Sequence, residues 1–157
     1  MASPQGSQSF ASNHKVTIWE HDPGGTSAVL VSPDGGTTVR SQDMRDFRFF
    51  GLGVMVTIAT TGPTLVEIVS ADDADLSTGV NVIKATATVA MDAVGDWVWL
   101  ECTSEEIQQE STDGADTNRY VGGRITCGNN GDEAIAVYIA GNARFPQLNL
   151  TPATTIS

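Results

Sequence analysis

Residues 47–146 are a succession of short runs rich in β-branched, aromatic and other apolar residues, separated by clusters of Gly, Asp, Asn and Ser. The runs recur about every ten to fifteen residues, the spacing of an all-β sandwich. No stretch of useful length repeats apolar residues at the helical period. No strand–helix–strand alternation occurs either, which excludes doubly wound sheets and α/β barrels.

The runs can be placed one by one. Residues 15–20 (Lys-Val-Thr-Ile-Trp-Glu) read as a first strand and 28–31 as a second, with turns at 21–25 and 32–36 and further pairing over 37–40. Residues 46–59 read as two short strands, or as one strand bent at Gly51 or Gly53, because glycine inside a strand often marks a bulge or corner. Residues 65–70 alternate, 71–79 form an acidic loop, 80–90 a strand and 91–95 a turn. The clearest strand is 96–102: Trp97, Trp99 and Glu101 share one face, and Val98, Leu100 and Cys102 the other. Thr103 and Glu106 have capping-box spacing, which predicts one or two helical turns to Gln109. Residues 119–127 read as a strand interrupted at Gly122 and Gly123. Gly128-Asn-Asn-Gly131 predicts a hairpin turn into a last strand at 134–143.

The expected fold is all-β: a single-domain antiparallel β-sandwich of about eight strands, with jelly-roll or Greek-key connections. Phe47, Phe49, Val56, Ile58, Val98, Leu100, Ile125, Ile135 and Val137 are the core candidates. Residues 1–13, with Phe10 as their one large apolar side chain, read as a flexible N-terminal arm. Residues 14–146 form the sandwich domain and 147–157 a Thr-rich tail.

Charge narrows the partners. With 8 Lys and Arg against 19 Asp and Glu in 157 residues, the net charge is −11. Phosphate backbones and anionic lipid surfaces attract clustered cations, so neither nucleic acid nor membrane is an expected partner. The same charge favours solubility and keeps free copies apart. Residues 1–12 have no charged n-region and no apolar h-region, and the apolar stretch at 49–59 is too short to span a bilayer. Synthesis and retention in a cytosol are therefore expected. Cys102 and Cys127 each close an apolar run, and buried free thiols are expected of both. A disulfide formed after release from the cell remains open.

Catalytic constellations are not apparent. The two histidines are His14, in the arm, and His21, in a turn; His21 and Asp22 are adjacent, so their side chains diverge on a strand. There is no nucleophile elbow, zinc-binding helix motif or phosphate loop, and the chain is expected to be no enzyme and to need no cofactor. Asp72, Asp73 and Asp75 are the best candidates for a hard cation, but their spacing is not that of a calcium loop and solvated loop acids are the simpler reading; Asp132 and Glu133 are weaker still. Trp97 and Trp99 suit a core or subunit interface, or a platform on which sugars stack.

The order of segments 46–50, 54–59, 66–79, 84–87, 119–125 and the closing Gly141-Asn-Ala-Arg-Phe-Pro146 resembles a family of small tailed-phage proteins encoded beside the major capsid protein. The resemblance covers about two-thirds of the chain and not its first 40 residues. It implies a structural virion protein, a capsid decoration (cement) protein made in the host cytoplasm and placed on the outer surface of the shell. Its partners would be the major capsid protein and neighbouring copies of itself, as dimers or trimers. Phe10, His14, Trp19, Phe145 and Pro146 would then make shell and neighbour contacts. Deleting residues 2–13 is expected to weaken shell binding and leave the fold intact. The alternatives are another phage structural part, such as a head-tail joining or tail protein, or a carbohydrate-binding sandwich module using Trp97 and Trp99.

Overall fold

The computed structural model describes residues 14–21, 28–30, 41–86, 91–109, 118–129 and 131–142. Nine strands are present among them: β1 (Lys15–His21), β2 (Ala28–Leu30), β3 (Gln42–Asp43), β4 (Phe49–Ile58), β5 (Pro63–Ala71), β6 (Asn81–Ala85), β7 (Trp97–Thr103), β8 (Tyr120–Cys127) and β9 (Glu133–Gly141). A 3-10 turn occupies Met44–Asp46, and the one α-helix among the described residues, α1, covers Ser104–Gln109.

Two antiparallel sheets face each other. The first has the order β1-β9-β4-β7; the second has β2 and β3 end to end along one edge of β8, then β5 and β6. With β2 and β3 counted as one interrupted position, each sheet has four positions, and the chain crosses from one sheet to the other at every connection except the β5–β6 hairpin. This is jelly-roll topology. The expected antiparallel sandwich is therefore the one observed.

The core lies between the sheets. Phe50, Leu52, Val54 and Val56 of β4 face Val66 and Ile68 of β5 and Val121 and Ile125 of β8, all buried. Tyr138 of β9 is buried as well; its ring packs on Phe50 with centroids 4.9 Å apart, and its hydroxyl accepts a bond from the Gly123 amide. Gly122 and Gly123 do not break β8. They make room for neighbours: a Cβ on Gly123 would meet Leu52 at 3.0 Å, and one on Gly122 would meet Leu76 at 2.5 Å. Leu76 folds the β5–β6 loop back over Val69, Ala71 and Tyr120, so β5 is buried on both faces from Val66 onward instead of alternating.

Several expectations are corrected. Residues 49–58 form one strand, the second of the two expected readings, but its irregularity is a bulge between Val56 and Ile58 and the register runs unbroken through Gly51 and Gly53. His21 is the last residue of β1, opposite Ala134, and not part of a turn. The Gly128–Gly131 connection is no hairpin, because β8 and β9 belong to different sheets; neither Gly128, Asn129 nor Gly131 adopts positive φ. Phe47, Val56 and Ile125 are buried, and Val98 and Leu100 pack partly against the core. Phe49, Ile58, Ile135 and Val137 face outward. In β9 the inward phase is Ala134, Ala136, Tyr138 and Ala140: the large β4 side chains leave room there for alanines and one ring.

The capping box forms as expected. Glu106 donates its amide to Thr103 Oγ1 at 3.3 Å, and the Thr103 amide donates to Glu106 Oε2 at 2.8 Å. Glu106 also pairs with Lys84 of β6, linking α1 to the edge of the second sheet. No helix among the described residues is long and apolar enough to cross a membrane. Phe10, Phe145 and Pro146, the arm, the tail and the 32–36 and 37–40 expectations lie outside the described residues.

Candidate interface on the outer face of the first sheet

The outward phase of the β1-β9-β4-β7 sheet is largely apolar, with Glu20, Glu101 and Glu133 as its acidic members. The strand registers set its rows: Ile18, Val137, Gly53 and Trp99 lie side by side; Val16, Ile139, Gly51 and Glu101 form the next row; Glu20, Ile135, Met55 and Trp97 the third. Phe49 and Ile58 extend the surface at the two ends of β4. A sheet face turned to water is normally polar in alternation with an apolar inner face. Here both phases of β4 and most of both phases of β7 and β9 are apolar. Ile18 is 62 % exposed, Met55 43 % and Trp97 72 %, while Val16, Ile135, Val137 and Ile139 are half-buried beside them. Large contiguous exposed apolar patches are uncommon on soluble monomers, so this face is the candidate interface.

Gly51 and Gly53 explain how Trp99 fits. A Cβ on Gly51 would meet Trp99 Cζ2 at 2.3 Å, and one on Gly53 would meet its Cε3 at 3.1 Å. The indole therefore lies across both glycines, and its Nε1 donates to Glu101 Oε2 at 3.2 Å. The glycines are there for a ring resting on the strand, not for a corner. Gly51→Ala should push the ring away, shift tryptophan emission and cost about 1–2 kcal/mol from overpacking. Denaturant titration of Gly51→Ala with and without Trp99→Ala checks this, because the penalty should vanish once the ring is gone.

The other site residues expected from sequence are scattered. The His14 ring sits over Gly141 at the β1–β9 end of the face, where a Gly141 Cβ would meet it at 2.7 Å. Trp19 lies within β1, opposite Ala136. Asp72, Asp73 and Asp75 do not converge: Asp73 accepts from the amide and hydroxyl of Ser77 at 3.0 and 2.9 Å, and Asp75 is exposed. Among the described residues no group of three or more His, Cys, Asp or Glu side chains is placed to hold a metal.

Cys102 and Cys127 are buried and unpaired with each other. Burial, with Glu106 adding to it, pushes the Cys102 thiol up to about 12; burial and Asp132 push Cys127 to about 11. Neither is a reactive thiolate at neutral pH. At the end of the sandwich, a cleft is lined by Met44, Arg45, Ile107, Asn118 and Arg119, among others. Both of its arginines pair with Asp43, at 2.8 and 2.9 Å. Desolvation opposes ionisation of Asp43, but the Arg45 amide and the two guanidinium groups outweigh it and lower its pKa.

No family model matches the sequence, and no curated protein matches it significantly. The resemblance to capsid-adjacent phage proteins thus has no counterpart there. Among solved structures, the chain is similar to a chain of the Bacillus endospore appendages, described as a novel family of disulfide-linked pili: 11 % identity, TM-score 0.39, 83 % of this chain and 88 % of that one. It is also similar to a chain of Triatoma virus (9 %, TM-score 0.40, 94 % and 71 %). A third likeness is to a chain of sacbrood virus of honeybee in expansion state II (8 %, TM-score 0.34, 99 % and 96 %). Identities and TM-scores are low, and no family follows from them.

Proposed function

We propose that the chain is a structural virion protein that binds the outer surface of a phage capsid and stabilises the shell, docking through the apolar face of the β1-β9-β4-β7 sheet. The observation that carries this reading is that face: four strands wide and largely apolar, on a chain of net charge −11. Such a surface is broad enough to rest on a large, gently curved partner. The acidic charge keeps free copies from stacking on it before the partner is met. A rigid jelly roll with little helix suits bracing better than a moving part. Many identical sites on one shell would add their modest affinities for an oligomeric decoration protein.

Cosedimentation of purified protein with expanded, undecorated capsids tests the reading. Saturable binding, with shells more resistant to heat afterwards, is expected. Absence of binding, with the protein alone forming a discrete ring or tube, would transfer it to a head-tail joining or tail role.

A second reading draws on one observation, the exposed Trp97 beside a Trp99 ring laid across the sheet. This is how an aromatic platform for sugars is built. In that case oligosaccharides would quench tryptophan fluorescence and capsids would not compete; unchanged emission removes this reading.

A further inference from the structure

The loop between β5 and β6 holds a second feature, independent of shell docking. Asp72 follows β5 in the same phase as Ser70, which is fully buried, and Asn118 immediately precedes Arg119 and β8. Asn118 is only 4 % exposed, and its Nδ2 donates to Ser70 Oγ at 3.0 Å. Its Oδ1 has no donor among the described residues, and neither has Asp72 Oδ1, although both atoms are shut off from solvent. The two side chains converge over Gly79: a Cβ there would meet Asp72 Oδ2 at 2.7 Å and lie 3.8 Å from Asn118 Oδ1. Gly79 has φ +61 and is exposed, and Asp72 as a whole is half-buried, so solvent lies just beyond the two closed-off oxygens.

Two nearby amides are already used. The Asp72 amide bonds Thr78 O at 3.1 Å, and the Arg119 amide bonds Ala71 O at 3.2 Å. Asp73 shapes the loop and takes no part: the Ser77 amide, with the Thr78 and Ser77 side chains, holds its carboxyl down to about 2. Buried acceptors without donors are costly, and each such group calls for an explanation. An amide oxygen, a carboxylate and adjacent solvent together form the oxygen-only environment that hard cations take.

We propose that Asp72 and Asn118 form a site for a single hard divalent cation of the calcium class, completed by water above Gly79. With one carboxylate the affinity belongs at the weak end, about 10⁻⁴–10⁻³ M. Gly79 is part of the site, because any side chain there would occupy the ion's place.

The test is thermal melting of the full chain in 10 mM calcium chloride against sodium chloride of equal ionic strength, which removes general screening of an acidic protein. The melting point should rise by about 3–11 °C in calcium across that range of affinity. Asp72→Asn and Asn118→Ala should lose the rise, and Asp75→Asn should keep it. Equilibrium dialysis of the unaltered chain should find one calcium per chain, so the outcome does not depend on either variant folding. No bound calcium, or a rise that both variants retain, overturns the proposal. It would mean that the Asn118 amide is turned the other way, with Nδ2 donating to Asp72 and Oδ1 accepting from Ser70.

Discussion

Asp132→Ala should lower the melting temperature by about 10 °C, the largest stability loss expected of a single polar side chain here. Asp132 is fully buried, and its carboxylate ties two loops together. Oδ1 accepts from the amides of Thr60, Thr61 and Gly62 at 2.7, 2.9 and 2.9 Å, and Oδ2 accepts from Asn129 at 2.9 Å. The β4–β5 turn is thereby fixed to the β8–β9 connection, joining one sheet to the other at one end of the sandwich. Gly62 has φ +83, and a Cβ there would strike Met91 O, so this turn has no room for a side chain at that position. Removing the carboxylate leaves four backbone donors facing a void. At about 1–3 kcal/mol for each buried group left unsatisfied, and with some re-solvation as the loops part, the loss should be about 3–5 kcal/mol. For a domain of this size each kcal/mol shifts melting by about 2–4 °C.

The effect should depend on pH with a definite sign. Desolvation acts to raise the Asp132 pKa, but the amides of Gly62, Thr61, Thr60 and Asn129 outweigh it and the pKa lies below 3.8. A carboxyl lowered in the folded state contributes stability above its unfolded pKa, about 3.9, and loses it as pH falls through the folded value. The gap in urea midpoint between the unaltered protein and Asp132→Ala should be largest near pH 7 and shrink below about pH 4. A variant that melts within 2 °C (about 1 kcal/mol) of the unaltered protein at neutral pH would show that the four bonds do not hold the loops.

Met55→Lys should weaken shell binding at least about 100-fold while leaving the fold intact. Met55 lies at the centre of the outer face, between Ile135 and Trp97 in register. It is 43 % exposed, so a lysine there stays solvated in the free chain and should change stability by no more than about 0.5 kcal/mol. On docking, the ammonium would have to leave water without a partner, and the cost is several kcal/mol; a hundredfold loss needs only about 2.8. Val82→Lys supplies the control. Val82 is as exposed as Met55 but lies on β6 of the other sheet, and its substitution should leave shell binding unchanged. Equal losses from both variants would mean that general charge, not this face, governs binding.

Much of the fold was legible because period-2 patterning marks strands wherever one side is buried. The capping box at Thr103 and Glu106 and the shared face of Trp97, Trp99 and Glu101 were read directly from spacing. What local pattern does not carry is which of two apolar phases points inward. In β9 the larger side chains, Ile135 and Val137, face outward, and alanines with Tyr138 fill the core. Size suggested the opposite because the outer face is itself apolar. The glycines were misread for a related reason: Gly51, Gly53, Gly122 and Gly123 answer to Trp99, Leu76, Leu52 and Tyr138, neighbours fixed by long-range pairing. Asp132 had no sequence signal separating a buried clamp from a solvated acid, and Asn118 none at all. Their roles exist only once β4, β5, β8 and β9 are assembled.

The most direct measurement is a cryo-electron microscopy reconstruction of expanded capsids incubated with saturating protein. The account predicts ordered copies with the β1-β9-β4-β7 sheet turned toward the shell and Met55, Trp97 and Ile18 at the contact. Ordered copies with that sheet facing solvent, or bare shells at saturating concentration, would contradict it.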